Sequence, residues 1–127
     1  MKSIIVIPAR MQSSRLPGKP LIDINGQTLL QRTYNQCAKA FPKERIYIAT
    51  DNIQIENHCK AKNMQVVMTS KNCLTGTDRV AEVAEQIEAD YYINVQGDEP
   101  LMNPQDILDT EVAIQKYKGE VINGYAN

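Results

Sequence analysis

Three short segments of this sequence carry side chains able to do chemistry on a charged ligand. The first reads Pro8-Ala9-Arg10-Met11-Gln12-Ser13-Ser14-Arg15-Leu16-Pro17-Gly18-Lys19-Pro20; it holds the cations Arg10, Arg15 and Lys19, and no acid occurs between Ser3 and Ile22. Arg forks onto phosphate oxygens and Lys acts as a point charge, while Ser13, Ser14 and Gly18 are small enough for backbone N–H groups to approach a polyanion. That is the composition of a triphosphate cradle, although a solvated basic surface loop has the same composition. The second segment, Thr75-Gly76-Thr77-Asp78-Arg79, has the Thr-to-Asp spacing of a capping box, which by itself only starts a helix. A helix start also supplies free N–H donors that suit a polar ligand. The third, Gln96-Gly97-Asp98-Glu99-Pro100, reads either as an acidic turn or, beside a phosphate site, as a source of one Mg²⁺ ligand, Asp98.

Those segments need a scaffold, and the apolar pattern supplies one. Ile4-Ile5-Val6-Ile7 is a β-branched run ending at Pro8, the mark of a strand buried on both faces. Leu29, Leu30, Thr33, Tyr34, Cys37 and Phe41 recur at helical spacing, with Pro42 closing the segment. Arg45 to Ala49 predicts a strand, then a helix capped by Asp51 or Asn52 and reaching to about Asn63. Gln65 to Met68 predicts a short strand, Thr77 to Glu88 a helix with Val80, Val83, Ala84 and Ile87 on one face, and Tyr91 to Val95 a strand. Asn103 caps a helix opened by Pro104, with Ile107, Leu108, Glu111 and Ile114 on its stripe, and Val121-Ile122 begins one more strand. Strands alternating with helices in short units imply an α/β fold: a doubly wound, mostly parallel sheet. In such sheets ligands bind at the carboxyl ends of the strands, where all three segments fall.

Composition sets limits. The 127 residues, 43% hydrophobic and 23% charged, are enough for one core, and we read 1–127 as the N-terminal, nucleotide-binding part of a single domain with no internal boundary. Fourteen Lys and Arg against fifteen Asp and Glu give a net charge of -1, which argues against a nucleic-acid partner. Cys37, Cys59 and Cys73 form no CxxC pair, so neither a disulfide framework nor a zinc site is expected, and a reducing cytoplasm fits. The apolar run from Ile4 is too short for a signal peptide or a membrane span. Neither GxxxxGK[ST] nor GxGxxG occurs, which removes the main support for an ATPase or a dehydrogenase. The chain stops at Asn127 just as a strand starts, so an incomplete C-terminus and a fragment are expected.

Pro8-Ala9-Arg10 followed by Ser14-Arg15-Leu16-Pro17-Gly18-Lys19-Pro20-Leu21 resembles the opening signature of the CMP-Kdo synthetases, the 3-deoxy-manno-octulosonate cytidylyltransferases. Sialic-acid cytidylyltransferases are similar at a greater distance. Thr75 to Arg79 with Val80-Ala81-Glu82-Val83 is similar to the family's Ser-Gly-Thr-(Asp/Glu)-Arg block, and Asn94 to Pro100 to its metal motif. The family commonly has His two residues before the Ser of that block, where Cys73 stands here, a departure that bears on the sugar more than on the nucleotide chemistry. The lone histidine, His58, matches no site position and is read as a surface residue.

The resemblance implies a Rossmann-like nucleotidyltransferase fold and transfer of CMP from CTP to an acidic 3-deoxy sugar, with pyrophosphate released. Such an enzyme would be a cytoplasmic homodimer serving lipopolysaccharide biosynthesis. By the same resemblance Ala9, Arg10, Lys19, Thr75, Gly76 and Thr77 bind the nucleotide, Arg79 and Gln96 the sugar, and Asp98 the Mg²⁺ cofactor. Arg10, Lys19 and Asp98 then form the catalytic set, and Arg15 takes no role. The family's second metal carboxylate lies beyond Asn127. Two alternatives stay open: a truncated or noncatalytic nucleotide-binding domain, and a nucleotide-sugar glycosyltransferase of similar fold, although no DxD metal motif occurs.

Overall fold

The computed structural model describes residues 2–11, 18–73, 75–97, 103–114 and 121–123, with side chains described as far as Asp109 in the helix beginning at Pro104. Its centre is β1 (Ser3–Pro8), buried along its whole length as a strand covered on both faces must be. β2 (Asp23–Ile24) and β3 (Gln27–Thr28) form a separate antiparallel ribbon, while β4 (Ile46–Thr50), β5 (Val66–Met68), β6 (Tyr91–Asn94) and β7 (Val121–Asn123) join β1 in a five-stranded sheet. The order is β5-β4-β1-β6-β7 and every pairing is parallel, with Val6 opposite Tyr47 on one side and Asn94 on the other. Successive strands run outward from β1 through β4 to β5, and the chain then returns to the other side of β1 as β6. The carboxyl ends of β1 and β6 therefore flank a topological switch point, where open α/β sheets bind their ligands.

Among the described residues four α-helices cover the sheet: α1 (Leu29–Ala40), α2 (Ile53–Ala61), α3 (Gly76–Gln86) and α4 (Pro104–Ile114). Alternation along the strands decides which helix meets which face. Ile5, Ile7, Ile46, Ile48 and Ile93 pack with Leu30, Tyr34 and Cys37 of α1, Ile55 and Cys59 of α2 and Ile107 of α4. Ile4, Val6, Ala49 and Val67 face Val80 and Val83 of α3. Two covered faces make the sheet doubly wound, as the pattern of apolar runs predicts. No helix among the described residues is long and apolar enough to cross a membrane.

Local chemistry sets the ends. Thr28 caps α1 by accepting from the Gln31 N–H at 3.1 Å, and the extended Phe41 before Pro42 ends it. Asn52 rather than Asp51 caps α2, its Oδ1 accepting from Gln54 and Ile55. That helix stops at Ala61, two residues short of expectation, because Asn63 turns left-handed at φ 58°. The Met64 N–H then donates to the Cys59 carbonyl and the Asn63 N–H to that of Lys60, which is a Schellman end with Asn in the usual glycine place. The Thr75–Asp78 capping box opens α3 with both reciprocal bonds formed, and Asn103 Oδ1 accepts from Gln105 at α4. The β2–β3 ribbon lies where the sequence reading has no element. Its two-residue turn, Asn25-Gly26, has both φ positive, at 54° and 92°, the conformation that Asn-Gly favours.

Candidate active site

The loop after β1 starts by continuing the sheet: the Ala9 N–H donates to the Ala49 carbonyl at 2.9 Å. This bond takes the Ala9 donor, so a ligand contact made by the Ala9 backbone falls to its carbonyl. Arg10 follows, exposed, and the ends of the basic loop are joined where the Gly18 N–H donates to the Met11 carbonyl at 2.6 Å. Gly18, at φ 78°, caps a single 3₁₀ turn, Lys19–Leu21, which holds Lys19 at the base of the loop. On the other side of the switch point, β6 delivers Gln96 and Gly97. Gly97 sits tight against the first loop, its N–H donating to the Pro8 carbonyl at 3.1 Å. A Cβ built on Gly97 would lie 3.0 Å from that same carbonyl oxygen and 3.3 Å from Ala9 Cβ, so only glycine lets the two loops approach so closely.

The approach encloses a cavity of about 180 Å³ lined by Pro8, Ala9, Arg10, Lys19, Pro20, Gln96 and Gly97. Four residues singled out in the sequence thus share one wall system: Ala9, Arg10, Lys19 and Gln96. Gly76, at the first turn of α3, stands against the same place, since a Cβ there would lie 2.8 Å from Gln96 Nε2 and 3.4 Å from Pro8 Cγ. Thr75 and Thr77 beside it are exposed. Asp98, which follows Gly97 in sequence, lies outside the described residues, as do Arg15 and Glu99.

A second cavity, of about 400 Å³, opens at the ends of β4 and β5 and is lined by Arg10, Met11, Asp51, Asn52, Ile53, Lys71, Cys73 and Arg79. Arg10 borders both cavities. Arg79 and Gln96, the two expected sugar contacts, do not share one. Arg79 is buried, at 3% exposure, with Nη1 donating to Thr69 Oγ1 at 2.5 Å. Cys73 is buried too, and its Sγ donates to Glu82 Oε2 at 2.9 Å. Burial first, and then that bond to Glu82, push the Cys73 thiol up to about 11. Accepting the Cys73 proton and the Ser70 N–H holds the Glu82 carboxyl below its usual range. Sequence reasoning missed Glu82, Asp51 and Lys71; the only signal was that Glu82 falls one helical turn after Arg79.

The reading of His58 as a surface residue is corrected. It is half-buried, and its Nε2 lies 2.9 Å from Oγ1 of Thr28, the cap of α1. Burial, then the neighbouring Lys62, lower its pKa. The residue ties α2 to the cap of α1 and lines neither cavity.

With this geometry in hand, known proteins supply a comparison. Residues 4–121 match a family described as cytidylyltransferase. The 3-deoxy-manno-octulosonate cytidylyltransferase of Chlorobium phaeobacteroides is 48% identical over 107 residues, 84% of this chain and 43% of that protein. Its Escherichia coli counterpart is 44% identical over 106 residues, again 84% and 43%. Among solved structures, a CMP:2-keto-3-deoxy-manno-octonic acid synthetase complexed with CTP superimposes with a TM-score of 0.87 at 40% identity, covering 92% of this chain and 48% of that one. The chain spans less than half the length of these relatives, 43% to 48%.

Proposed function

The chain belongs to the cytidylyltransferase family, and from that membership we propose that it forms the nucleotide-binding part of an enzyme transferring CMP from CTP to 3-deoxy-manno-octulosonate or a related ulosonic acid, with release of pyrophosphate. The observation that carries the proposal is the cavity at the switch point, where Arg10 and Lys19 stand beside Ala9 and Gln96. Two cations at one small cavity offset part of the charge of a triphosphate. In this reading Arg10 and Lys19 hold the phosphates and offset the charge that builds on the departing pyrophosphate as the sugar's anomeric hydroxyl attacks the α-phosphorus. The Ala9 carbonyl and the Thr75-Gly76-Thr77 turn contact the cytidine. Gln96, beside the phosphate cations, orients the hydroxyl, and Arg79 in the larger cavity receives the sugar's carboxylate. Most of the rate would come from alignment and charge neutralisation, since little covalent help is needed.

Magnesium belongs to the same proposal. The described residues contain no group of three or more His, Cys, Asp or Glu able to hold a metal by themselves. In this reading one carboxylate, Asp98, would hold the ion together with substrate phosphates and water, the usual manner of Mg²⁺. When bound, the ion would neutralise phosphate charge at the site, with Asp98 as the residue that would hold it. The whole enzyme is proposed as a cytoplasmic homodimer acting in lipopolysaccharide biosynthesis.

The test is release of pyrophosphate from CTP with the acidic sugar and Mg²⁺, comparing this chain with a version extended to the length of the relatives. Turnover is expected in the longer protein and little in residues 1–127, which span less than half of those relatives. Absence of CTP-dependent release from both would refute the proposal and leave the noncatalytic reading.

A further inference from the structure

Resting on the reading that Arg79 contacts the substrate, we propose that Glu82 is a positioning residue that fixes Arg79 and the segment Thr69–Cys73 as one wall of the larger cavity. Glu82 lies one turn after Arg79 on α3, and both of its carboxylate oxygens are engaged by the same short segment. Oε1 accepts the Ser70 backbone N–H at 2.8 Å, and Oε2 accepts the Cys73 thiol at 2.9 Å. The segment, held in this way, holds Arg79 in turn: Nη1 donates to Thr69 Oγ1 at 2.5 Å and reaches the Ser70 carbonyl at 3.5 Å. The upstream end is anchored on the sheet, where the Thr69 N–H donates to the Thr50 carbonyl at 2.8 Å. Arg79, Cys73 and Lys71 of this assembly all line the cavity that Arg10 shares.

A carboxylate suits the task for a geometric reason. Two donors arrive from one loop, a backbone N–H and a thiol, and only a group with two acceptor oxygens satisfies both. Gln keeps the size of the side chain but offers one acceptor, so Glu82→Gln releases either Ser70 or Cys73. Arg79 then loses its fixed partners and the cavity wall loosens, although Val80 and Val83 still bury α3 against the sheet. Glu82 touches no reacting atom in this scheme; it acts through Arg79.

The experiment has two arms. In the first, Cys73 modification by Ellman's reagent is followed by mass spectrometry in the wild-type chain and Glu82→Gln, with Cys73→Ser as the blank that lacks this thiol. Cys37 and Cys59 are fully buried and serve as internal controls. Faster Cys73 modification in Glu82→Gln, on the order of tenfold, with Cys37 and Cys59 still protected, is the expected result for a local opening. Equal rates would overturn the clamp. In the second arm, the enzyme extended to the relatives' length is assayed with and without Glu82→Gln. The KM for the acidic sugar should rise roughly five- to tenfold while kcat stays within about twofold, since ground-state positioning is what is lost. Faster labelling with an unchanged KM would reduce Glu82 to a structural clamp and overturn the positioning role. An inactive wild-type extended enzyme would refute the cytidylyltransferase reading and this role with it, while the labelling arm would still report separately whether the clamp exists.

Discussion

Arg10 and Lys19 come from opposite ends of a basic loop that the Gly18–Met11 bond draws closed, and they meet at one cavity. Each charge-assisted contact to a phosphate is worth about 1.5–3 kcal/mol, so Lys19→Ala or Arg10→Ala should weaken CTP binding about 10–100-fold by calorimetry. Unchanged affinity in both variants would return the loop to a solvated surface role. Gly76 offers a finer probe. A Cβ there meets the far end of Gln96 at 2.8 Å, a flexible amide that can move aside, and Pro8 Cγ only at 3.4 Å. Gly76→Ala should therefore leave the thermal midpoint within a few degrees while displacing the Gln96 amide. In the extended enzyme its expected signature is a higher KM for the sugar, and an unchanged KM would remove Gln96 from the list of contacts. Gly97→Ala meets a backbone oxygen at 3.0 Å instead, and there the fold itself must give.

At the level of elements, Thr75 has two duties, capping α3 and, in the proposal, lining the nucleotide. Thr75→Ala removes the capping box and should cost about 1 kcal/mol in urea unfolding, whereas Thr75→Ser keeps the side-chain acceptor and should cost only a few tenths. If the Ser variant unfolds as easily as the Ala variant, the cap is not what Thr75 contributes. This box, the cap at Asn103, the α2 cap to within one residue (Asp51 or Asn52) and the buried β1 strand were legible in the sequence, because each depends on side chains close to one another along the chain. The basic loop and the turn after β6 stood out in the sequence by residue type, and the parallel order brings Arg10, Lys19 and Gln96 to one cavity. What escaped has two physical causes. The β2–β3 ribbon and the Schellman end at Asn63 rest on residues with positive φ, Asn25, Gly26 and Asn63, whose signal is one or two letters long and easily passed over in an apolar-periodicity reading. The Glu82 clamp and the His58–Thr28 bond join residues nine or more positions apart on different elements, and no local pattern encodes them.

The whole molecule wraps two of its three thiols in the larger core of the described residues, and this gives it a pH dependence that can be worked out in sign. Cys37 on α1 and Cys59 on α2 are both at 0% exposure between the helices and the sheet. Burial pushes each of them up to about 12. In the unfolded chain a thiol loses its proton near pH 8.5, so above roughly that value the unfolded state binds fewer protons than the native state. Stability must then fall as pH rises, by about 1.4 kcal/mol per pH unit for each thiol, until the native thiols titrate in their turn. Below roughly pH 8 both states hold these protons and the contribution is flat. Tyr34, whose pKa burial also raises, adds the same sign at higher pH. For the two cysteines together the loss by pH 10 is on the order of 4 kcal/mol, a large share of the usual 5–15 kcal/mol. Urea midpoints measured from pH 7 to 10 should hold steady and then drop steeply, and Cys59→Ala, although less stable at pH 7, should show a slope shallower by about one proton. A midpoint that stays level through pH 10 would mean that these thiols ionise in the native state as readily as in water, and that the interface of α1 and α2 with the sheet is open to solvent.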